Sequence, residues 1–447
     1  MAKNMTEGNS LKLIMQFAAP LLVGNLLQQT YNLADAAIVG NYLGARSLAA
    51  VGASTSVQFL ILGFCIGICC GFAIPVAQAF GAGDLKKMRR YVFHSIVLTA
   101  ILGIILTIVC AFLCPQILHL LKTPEKIYHN AYLYLLIIFL GIPCNLLYNS
   151  LAGILRAVGD SKTPFYFLMI STFLNIALDC VCIIVLHWGC AGAGIATVTA
   201  QGVSGLLCLV YIIKKYDILR IQRDERSWNW RIGGNLITMG VPMGLQYSIT
   251  AIGSMVMQSA NNGLGDVYIS GFTAGMRIKQ FVMCPFDALA TAVSTFTSQN
   301  YGAGKFDRIK KGILQGVGIG VTYGIVMGIG LIFFGRTLSM MFLPASEVEA
   351  LDAAGKYLAC LGCFYWAIGI LNVCRMTTQG LGFSGRAVFS GAVEMVARIF
   401  VSVWCVPMFG FTAICFADQS AWVSACIYIV PTLIYCLRKL SVPKQKE

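Results

Sequence analysis

The chain has 447 residues, is 58% hydrophobic and only 11% charged, and carries a formal net charge of +14. Soluble globular proteins contain about 25% charged residues, so this composition excludes a soluble fold. It also excludes a nucleic-acid-binding protein, because the basic residues lie in short segments between apolar runs and not on a soluble domain. The composition predicts an integral membrane protein.

Runs of 18 or more mostly apolar residues recur along the chain, and each is long enough to cross a hydrocarbon core about 30 Å thick as a helix. In chain order the predicted spans are 12–39, 48–79, 91–114, 130–152, 164–187, 192–213, 233–262, 269–300, 312–335, 356–380, 386–408 and 411–437. A transmembrane β-barrel would instead show alternation over about ten residues. The predicted fold class is therefore all-α integral membrane, with twelve transmembrane helices.

Basic residues are distributed unevenly between the loops. The basic segments are 86–90, 214–231, 305–311 and 438–447. The opposite loops hold only Arg46, Lys122, Lys126, Arg336 and Lys356. By the positive-inside rule the basic segments are cytoplasmic, which predicts a multi-pass protein of the cell membrane with both termini inside. No signal peptide is evident, and the 18 cysteines lie mostly in apolar runs without the spacing of a metal site.

The second half of the sequence repeats the first. The segment 77–90 (AQAFGAGDLKKMRR) matches 298–312 (SQNYGAGKFDRIKKG), and 19–28 matches 241–250, at offsets of 221 and 222 residues. The predicted units are a six-helix N-lobe (1–213), a cytoplasmic linker (214–232), a six-helix C-lobe (233–437) and a cytoplasmic tail (438–447). Six is an even number, so the lobes are parallel repeats, of the kind that rock around a central cavity.

Four polar residues are expected at one depth in the N-lobe. Asp35 lies in the outer half of the first span. Asn175 and Asp179 are four residues apart on the fifth, hence on one face, and Thr197 lies in the first turns of the sixth. A charged aspartate inside a bilayer is costly and usually faces a cavity or a partner.

Three interpretations of this cluster stay open. Two neighbouring carboxyl groups in an apolar lobe share a proton, or they bind a hard cation such as Na⁺ with the Asn and Thr oxygens. The alternative is that each acid is neutral and hydrogen-bonded for helix packing. Pro20 is either a hinge or a static kink in the first helix. Tyr31, one turn before Asp35, is either its partner or a packing residue.

The C-lobe has different polar residues. The repeat offset sets Met257, or its neighbour, against Asp35, so that acid is absent. Candidates for a substrate cavity are Asp287, Gln246, Gln258, Arg277 and Lys279. For Asp287 a cationic substrate and pairing with a base are equal alternatives. Glu394 and Arg398, four residues apart, are predicted to form a structural ion pair.

At these residues the chain resembles the multidrug and toxic compound extrusion (MATE) family. The resemblance covers residues 11–437. The features that carry it are Pro20 with Asp35, the segment IVGNYLGARSLAAVG (38–52), the paired QAFGAGD and QNYGAGK loops, and the set Asn175, Asp179 and Thr197. The latter set is similar to that of the family's prokaryotic branch, whose N-lobe acids bind H⁺ or Na⁺.

The resemblance implies an antiporter that exports amphipathic, often cationic drugs in exchange for H⁺ or Na⁺. It implies a coupling site at Asp35, Asn175, Asp179 and Thr197, a bend at Pro20, and Tyr31 beside the site. In another branch an acid early in the seventh helix serves a C-lobe cation site, whereas Gln246 and Tyr247 stand there in this chain. We expect no cofactor beyond the transported cation, no structural metal, lipid as the surrounding partner, and a monomer.

Three other functions are alternatives to an antiporter. A lipid-linked oligosaccharide or lipid flippase of the same superfamily is the main alternative, but such proteins often have extra helices or a strongly basic cavity. An intramembrane enzyme is disfavoured because no HExxH or GxSxG motif is present. A channel fits two rocking lobes with buried acids less well than a carrier does.

Overall fold

The structure, a computed structural model, describes residues 3–121 and 123–441. Its regular elements are helical, and no strand occurs within those ranges. The helices are α1 (Ser10–Leu43), α2 (Ala45–Gly81), α3 (Leu85–Leu120), α4 (Glu125–Leu140), α5 (Ile142–Ala157), α6 (Lys162–Asp179), α7 (Gly189–Lys215), α8 (Trp230–Asn262), α9 (Asp266–Gly302), α10 (Phe306–Ser339), α11 (Val348–Cys363), α12 (Tyr365–Gly380), α13 (Ser384–Phe400), α14 (Val406–Phe409) and α15 (Phe411–Ser441). The predicted all-α membrane class is confirmed.

The number of spans differs from the prediction at one helix. Nine of the described helices are long and apolar enough to cross a membrane, and counting each of two bent pairs as one span gives eleven. The predicted span 233–262 lies in α8, whose 33 residues exceed the length a crossing needs but which is not among those eleven. Amides at Asn235, Gln246 and Gln258 lower its apolar character. The twelfth crossing stays a prediction.

The two bent pairs occur at matching places of the repeat. α4 and α5 meet at 43° around Gly141, and α11 and α12 meet at 55° around Phe364. Pro143, in the first turn of α5, has no N–H to donate to the preceding turn, which favours the break. Each pair corresponds to one predicted span, 130–152 or 356–380.

The duplicated Gly-Ala-Gly motifs form tight turns. Gly83 and Gly304 have φ values of 74° and 69°, in the left-handed region that other residues adopt at a cost. In the first turn Asp84 then caps α3, since its side chain accepts a hydrogen bond from the backbone nitrogen of Lys87 (2.9 Å). The second glycine of each motif is therefore explained by backbone geometry.

The chain divides into two compact units. Unit 1 holds Val23–Gly244 together with Lys3 and Asn4, and unit 2 holds Met5–Leu22 together with the described chain from Leu245 onward. These units differ from the predicted lobes at two helices, because the first third of α1 counts with unit 2 and the first half of α8 with unit 1. Residues 442–447 of the predicted tail lie outside the described ranges.

In unit 1 the predicted linker is folded against α3. Arg89 donates hydrogen bonds of 2.7–2.9 Å to both carboxylate oxygens of Glu225. The same guanidinium keeps the pKa of Glu225 below its ordinary value. His94 accepts a hydrogen bond from the backbone nitrogen of Asn229 (2.8 Å) and stacks on Trp228, with ring centroids 4.7 Å apart. The linker is thus an ordered segment fixed to the start of α3.

In unit 2 the segment before α1 is fixed in a similar way. The backbone nitrogen of Met5 donates to Gln299 (2.8 Å), and Arg308 donates to the carbonyl oxygens of Met5 (3.2 Å) and Gly8 (2.8 Å). Arg308 follows the second Gly-Ala-Gly turn as Arg89 follows the first. Each pre-helix segment is therefore held by an arginine at the start of a helix.

Candidate functional site

The predicted N-lobe residues come from three helices of unit 1. Asp35 lies on α1, Asn175 and Asp179 lie one turn apart on α6, and Thr197 lies on α7. Asp179 is fully buried and Asn175 nearly so, whereas Asp35 is partly exposed. Directly after Asp179 the helix widens into a π-helical segment, Cys180–Val185. Such widened turns occur frequently at functional sites.

The amide of Asn175 and the hydroxyl of Thr197 are hydrogen-bonded to each other. Asn175 Nδ2 donates to Thr197 Oγ1 (3.3 Å), and Thr197 Oγ1 donates to the carbonyl oxygen of Ala193 (3.0 Å). This arrangement uses the hydroxyl proton of Thr197 and one of the two N–H donors of Asn175. The Oδ1 atom of Asn175 therefore remains as an acceptor.

The two carboxyl groups face each other without a donor. Asp35 and Asp179 lie within hydrogen-bonding reach of one another. Across the described chain, no donor reaches Asp35 Oδ1, either carboxylate oxygen of Asp179, or Asn175 Oδ1, and all four atoms are buried. A buried acceptor without a donor is costly, and two adjacent carboxylates repel each other. One proton or one cation relieves both penalties.

Two tyrosines border the acids. Tyr31 interacts with Asp35 and Asp179 and neighbours Gln28, and Tyr134 on α4 interacts with both acids and neighbours Gln58. Sequence reasoning found Tyr31 but missed Tyr134, together with Gln28 and Gln58. The available signal was a polar side chain inside an apolar run, as for the aspartates.

Pro20 lies fifteen residues before Asp35 on the same continuous helix. It stands two residues before the point at which α1 passes from unit 2 to unit 1. Pro242 stands at the same distance before the corresponding point on α8. A proline removes one helical hydrogen bond and permits bending, so the hinge role of Pro20 stays a prediction with a suitable location.

Unit 2 contains a buried network of ion pairs. Glu394 and Arg398 are 3.4 Å apart, and Glu394 also receives a hydrogen bond from Arg375. Asp418 on α15 lies 3.1 Å from Arg398 Nε and 2.5 Å from Lys279 Nζ. Sequence reasoning singled out Lys279, Glu394 and Arg398 but missed Arg375 and Asp418, although both are charges inside apolar runs. The structure thus places Lys279 within the network.

The other C-lobe candidates are not brought together into one cluster. Gln246 is buried and hydrogen-bonded to Gln379, and Gln258 bonds to Asn262 (3.3 Å) on the same helix. Arg277 is half-buried on α9. Asp287 is exposed in the middle of α9 and accepts a hydrogen bond from Asn372 on α12 (3.2 Å). Of the predicted cavity candidates, Asp287 is therefore the acid with an exposed side chain. Its role in substrate binding stays a prediction.

The described residues contain no cluster of the type that usually holds a metal ion in proteins. No group of three or more His, Cys, Asp or Glu side chains suited to a metal ion occurs in the described part of the chain. The oxygen set at Asp35 and Asp179 differs from such a site because it combines two carboxylates with an amide oxygen. Oxygen ligands of this type suit hard cations.

Comparison of the sequence with known protein families shows the same duplication. The model of the MatE family matches this chain twice, over residues 20–181 and 242–404. The chain belongs to the MatE family. This confirms the resemblance noted in the sequence, and the transport function of the family confirms that the protein is not an enzyme.

Relatives and solved structures agree with this membership. The chain is 32% identical over 422 residues to the probable multidrug resistance protein YpnP of Bacillus subtilis, covering 94% of this chain and 91% of the relative. It is 30% identical to the probable multidrug resistance protein YoeA of the same organism, covering 82% and 80%. A multidrug resistance MATE family transporter of the MOP superfamily in an outward-facing conformation matches the fold with a TM-score of 0.91, at 22% identity and 98% coverage of both chains.

Proposed function

We propose that this MatE transporter exports amphipathic, often cationic small molecules in exchange for H⁺ or Na⁺. The export part is supported by the relatives, which are named for multidrug resistance. Those names do not favour the flippase alternative. The coupling part rests on the chemistry of unit 1.

The observation that carries the coupling proposal is the set of four buried acceptor oxygens without donors on Asp35, Asn175 and Asp179. A charged aspartate within a bilayer costs about 2.5–3.5 kcal/mol or more. An acid retained only for packing would be expected to have a donor for its oxygens. A proton or Na⁺ supplies the missing positive charge, so the site is stable when loaded and costly when empty.

The difference in exposure between the two acids suggests how a cation enters. Asp35 is partly exposed, whereas Asp179 is fully buried behind it. We infer that a cation first reaches Asp35 and is then shared with Asp179. Because Asp35 and Pro20 lie on one helix, loading at Asp35 can bias bending of α1 at Pro20, which is the hinge the sequence predicts.

The remaining parts of the proposal concern substrate and orientation. Asp287, whose exposed side chain accepts a hydrogen bond from Asn372, is the best contact for a cationic substrate. The two six-helix lobes alternate access by rocking, as parallel repeats do. Both termini lie in the cytoplasm, the protein resides in the cell membrane, and it acts as a monomer.

Drug-induced proton movement in proteoliposomes tests the coupling. A pH gradient is imposed and ethidium is added, with and without Na⁺, to the wild type, Asp35→Asn and Asp266→Asn. Asp266 is an exposed carboxylate at the start of α9, so its amide variant controls for the loss of one acid. We expect ethidium to collapse the gradient with the wild type and Asp266→Asn but not with Asp35→Asn.

Each outcome has a distinct meaning. Ethidium movement that requires Na⁺ would identify the same cluster as a sodium site. Unchanged export by Asp35→Asn would exclude Asp35 from coupling. If neither gradient responded to any drug with the wild type, lipid-linked substrates of a flippase would be tried next.

A further inference from the structure

Unit 2 carries an open groove of about 620 Å³ between α13 and α15. The α13 wall is formed by large apolar side chains, among them Phe389, Val396 and Phe400, each more than half exposed. The α15 wall includes two small residues, Ser420 and Ser424. The small residues on one helix opposite large residues on the other leave the space open.

One end of the groove is basic. Arg386 lies one turn before Phe389 on α13, and its guanidinium stacks on Tyr435 of α15, 4.5 Å from the ring centre. The guanidinium, which also interacts with the side chains of Tyr435 and Cys436, has several N–H donors in a planar fork that suits a phosphate. Lys439, one turn beyond Tyr435, is exposed at the same end. The hydroxyl of Tyr428, which lines the groove, donates to the carbonyl oxygen of Arg386 (3.2 Å), so groove and basic end are continuous.

The dimensions fit one leaflet. The α13 wall of the groove runs from Phe389 on α13 to Val401 directly after it, which corresponds to about 18 Å at 1.5 Å per residue. Half of a hydrocarbon core about 30 Å thick is about 15 Å. The distribution of basic residues assigns this end of α13 and α15 to the cytoplasm, where the leaflet is rich in anionic lipids.

We propose that this groove binds one anionic phospholipid of the inner leaflet, with an acyl chain between α13 and α15 and its phosphate on Arg386. The charge decides between a lipid and a transported cation. No acidic side chain is among the described residues that line the groove, and Arg386 at its basic end repels cationic drugs. This lipid site is independent of the coupling proposed at Asp35.

Native mass spectrometry of the purified full-length protein tests the proposal. The protein is titrated with phosphatidylglycerol or phosphatidylcholine, and one-lipid adducts are counted. We expect the wild type to prefer phosphatidylglycerol, and Arg386→Gln to lose about fivefold in affinity for that lipid alone, the amount expected for one basic residue at a membrane surface. Ser424→Phe, which fills the groove, should lose the high-affinity adduct of both lipids.

Two matched variants serve as controls. Lys162→Gln removes an exposed base at the start of α6, the helix that corresponds to α13 in the repeat, and Ile427→Phe enlarges a lipid-facing residue of α15 outside the groove. Both should bind lipid as the wild type does. Equal binding of the two lipids by the wild type, or equal losses in Ser424→Phe and Ile427→Phe, would overturn the proposal. Displacement of phosphatidylglycerol by ethidium would overturn it as well, since the groove would then hold a transport substrate.

Discussion

The two units place polar residues at corresponding positions of the repeat but satisfy them in opposite ways. In unit 1, Asp35 and Asp179 face each other, and their buried oxygens lack donors among the described residues. In unit 2, Asp418 is bonded to Lys279, Arg398 and Tyr357, and Glu394 to two arginines. The duplicated fold therefore contains one acidic cluster whose buried oxygens lack donors and one whose acids are paired with bases.

Three pairs of corresponding positions contribute to this difference, in addition to the acids, which do not correspond. At offsets of 221 to 223 residues, Gln58 corresponds to Lys279, Tyr134 to Tyr357, and Asn175 to Arg398. The tyrosine is the same in both halves, whereas two neutral amides of unit 1 are bases in unit 2. Those two bases are the ones that hold Asp418.

The comparison supports the proposal that coupling belongs to unit 1. A carboxylate between two fixed bases has its charge compensated at all times and gains little from a further cation. A carboxylate pair without a neighbouring base needs a mobile cation to compensate its charge. Exchange of amide and base between the halves is the direct way to test this conclusion.

The largest effect is expected when the base of unit 2 is introduced into unit 1. Asn175→Arg places a guanidinium one turn from Asp179, where it can donate to the oxygens that lack donors. Coupled ethidium efflux should fall about 10- to 100-fold, since a hydrogen bond to a charged group contributes about 1.5–3 kcal/mol.

The control for this variant is Asn175→Leu, which removes the amide but adds no charge. It should retain more coupled efflux than Asn175→Arg in the same proteoliposomes. Equal activities of the two variants would show that the amide, and not the absence of a base, is what matters at this position.

The reverse exchange should affect stability and not coupling. Arg398→Asn leaves Glu394 and Asp418 with one base each, and breaking a buried ion pair costs about 3–5 kcal/mol in unfolding free energy. Denaturant unfolding in detergent measures this loss. Arg336→Asn breaks an exposed ion pair with Asp352 and should cost less than about 1 kcal/mol. Loss of proton coupling by folded Arg398→Asn would contradict the division of roles between the units.

A smaller effect is expected at the exposed acid of unit 2. Asp287→Asn removes a negative charge that lies outside the ion-pair network and is bonded to Asn372. We expect about three- to tenfold weaker efflux of cationic dyes, with proton coupling per dye unchanged. Dose–response curves for several cationic dyes and one neutral substrate measure this, and identical curves for the variant and the wild type would exclude the role.

Most of the fold could be predicted because lipid constrains it strongly. Apolar runs and the offset repeat were sufficient for the helical class and eleven of the spans, since backbone polar groups in lipid must be satisfied within helices. The weakest case was α8, whose amide at Gln246 faces a partner on another helix that the sequence does not reveal.

The candidate site was only partly predictable. Agreement in depth and the i, i+4 spacing of Asn175 and Asp179 were enough to group them with Asp35. Tyr134 and Asp418 were missed, because their contacts depend on which helices are neighbours and how each is rotated about its axis. Spacing within one helix predicted Glu394 with Arg398, but it has no information on Asp418, which reaches the same arginine from α15.

The smallest effects are expected for the tyrosine that both halves share. Tyr357 donates to Asp418 (2.9 Å), so Tyr357→Phe should lower the unfolding free energy by about 0.5–1.5 kcal/mol without changing coupling. Tyr134 neighbours Gln58 and borders the acids, so Tyr134→Phe should shift the cation dependence of efflux and change stability less than Tyr357→Phe does. Unfolding curves and efflux at several pH values and Na⁺ concentrations distinguish the two variants. If both variants changed only stability, the equivalent tyrosines would have the same structural role, and the contrast between the units would rest on the acids and bases alone.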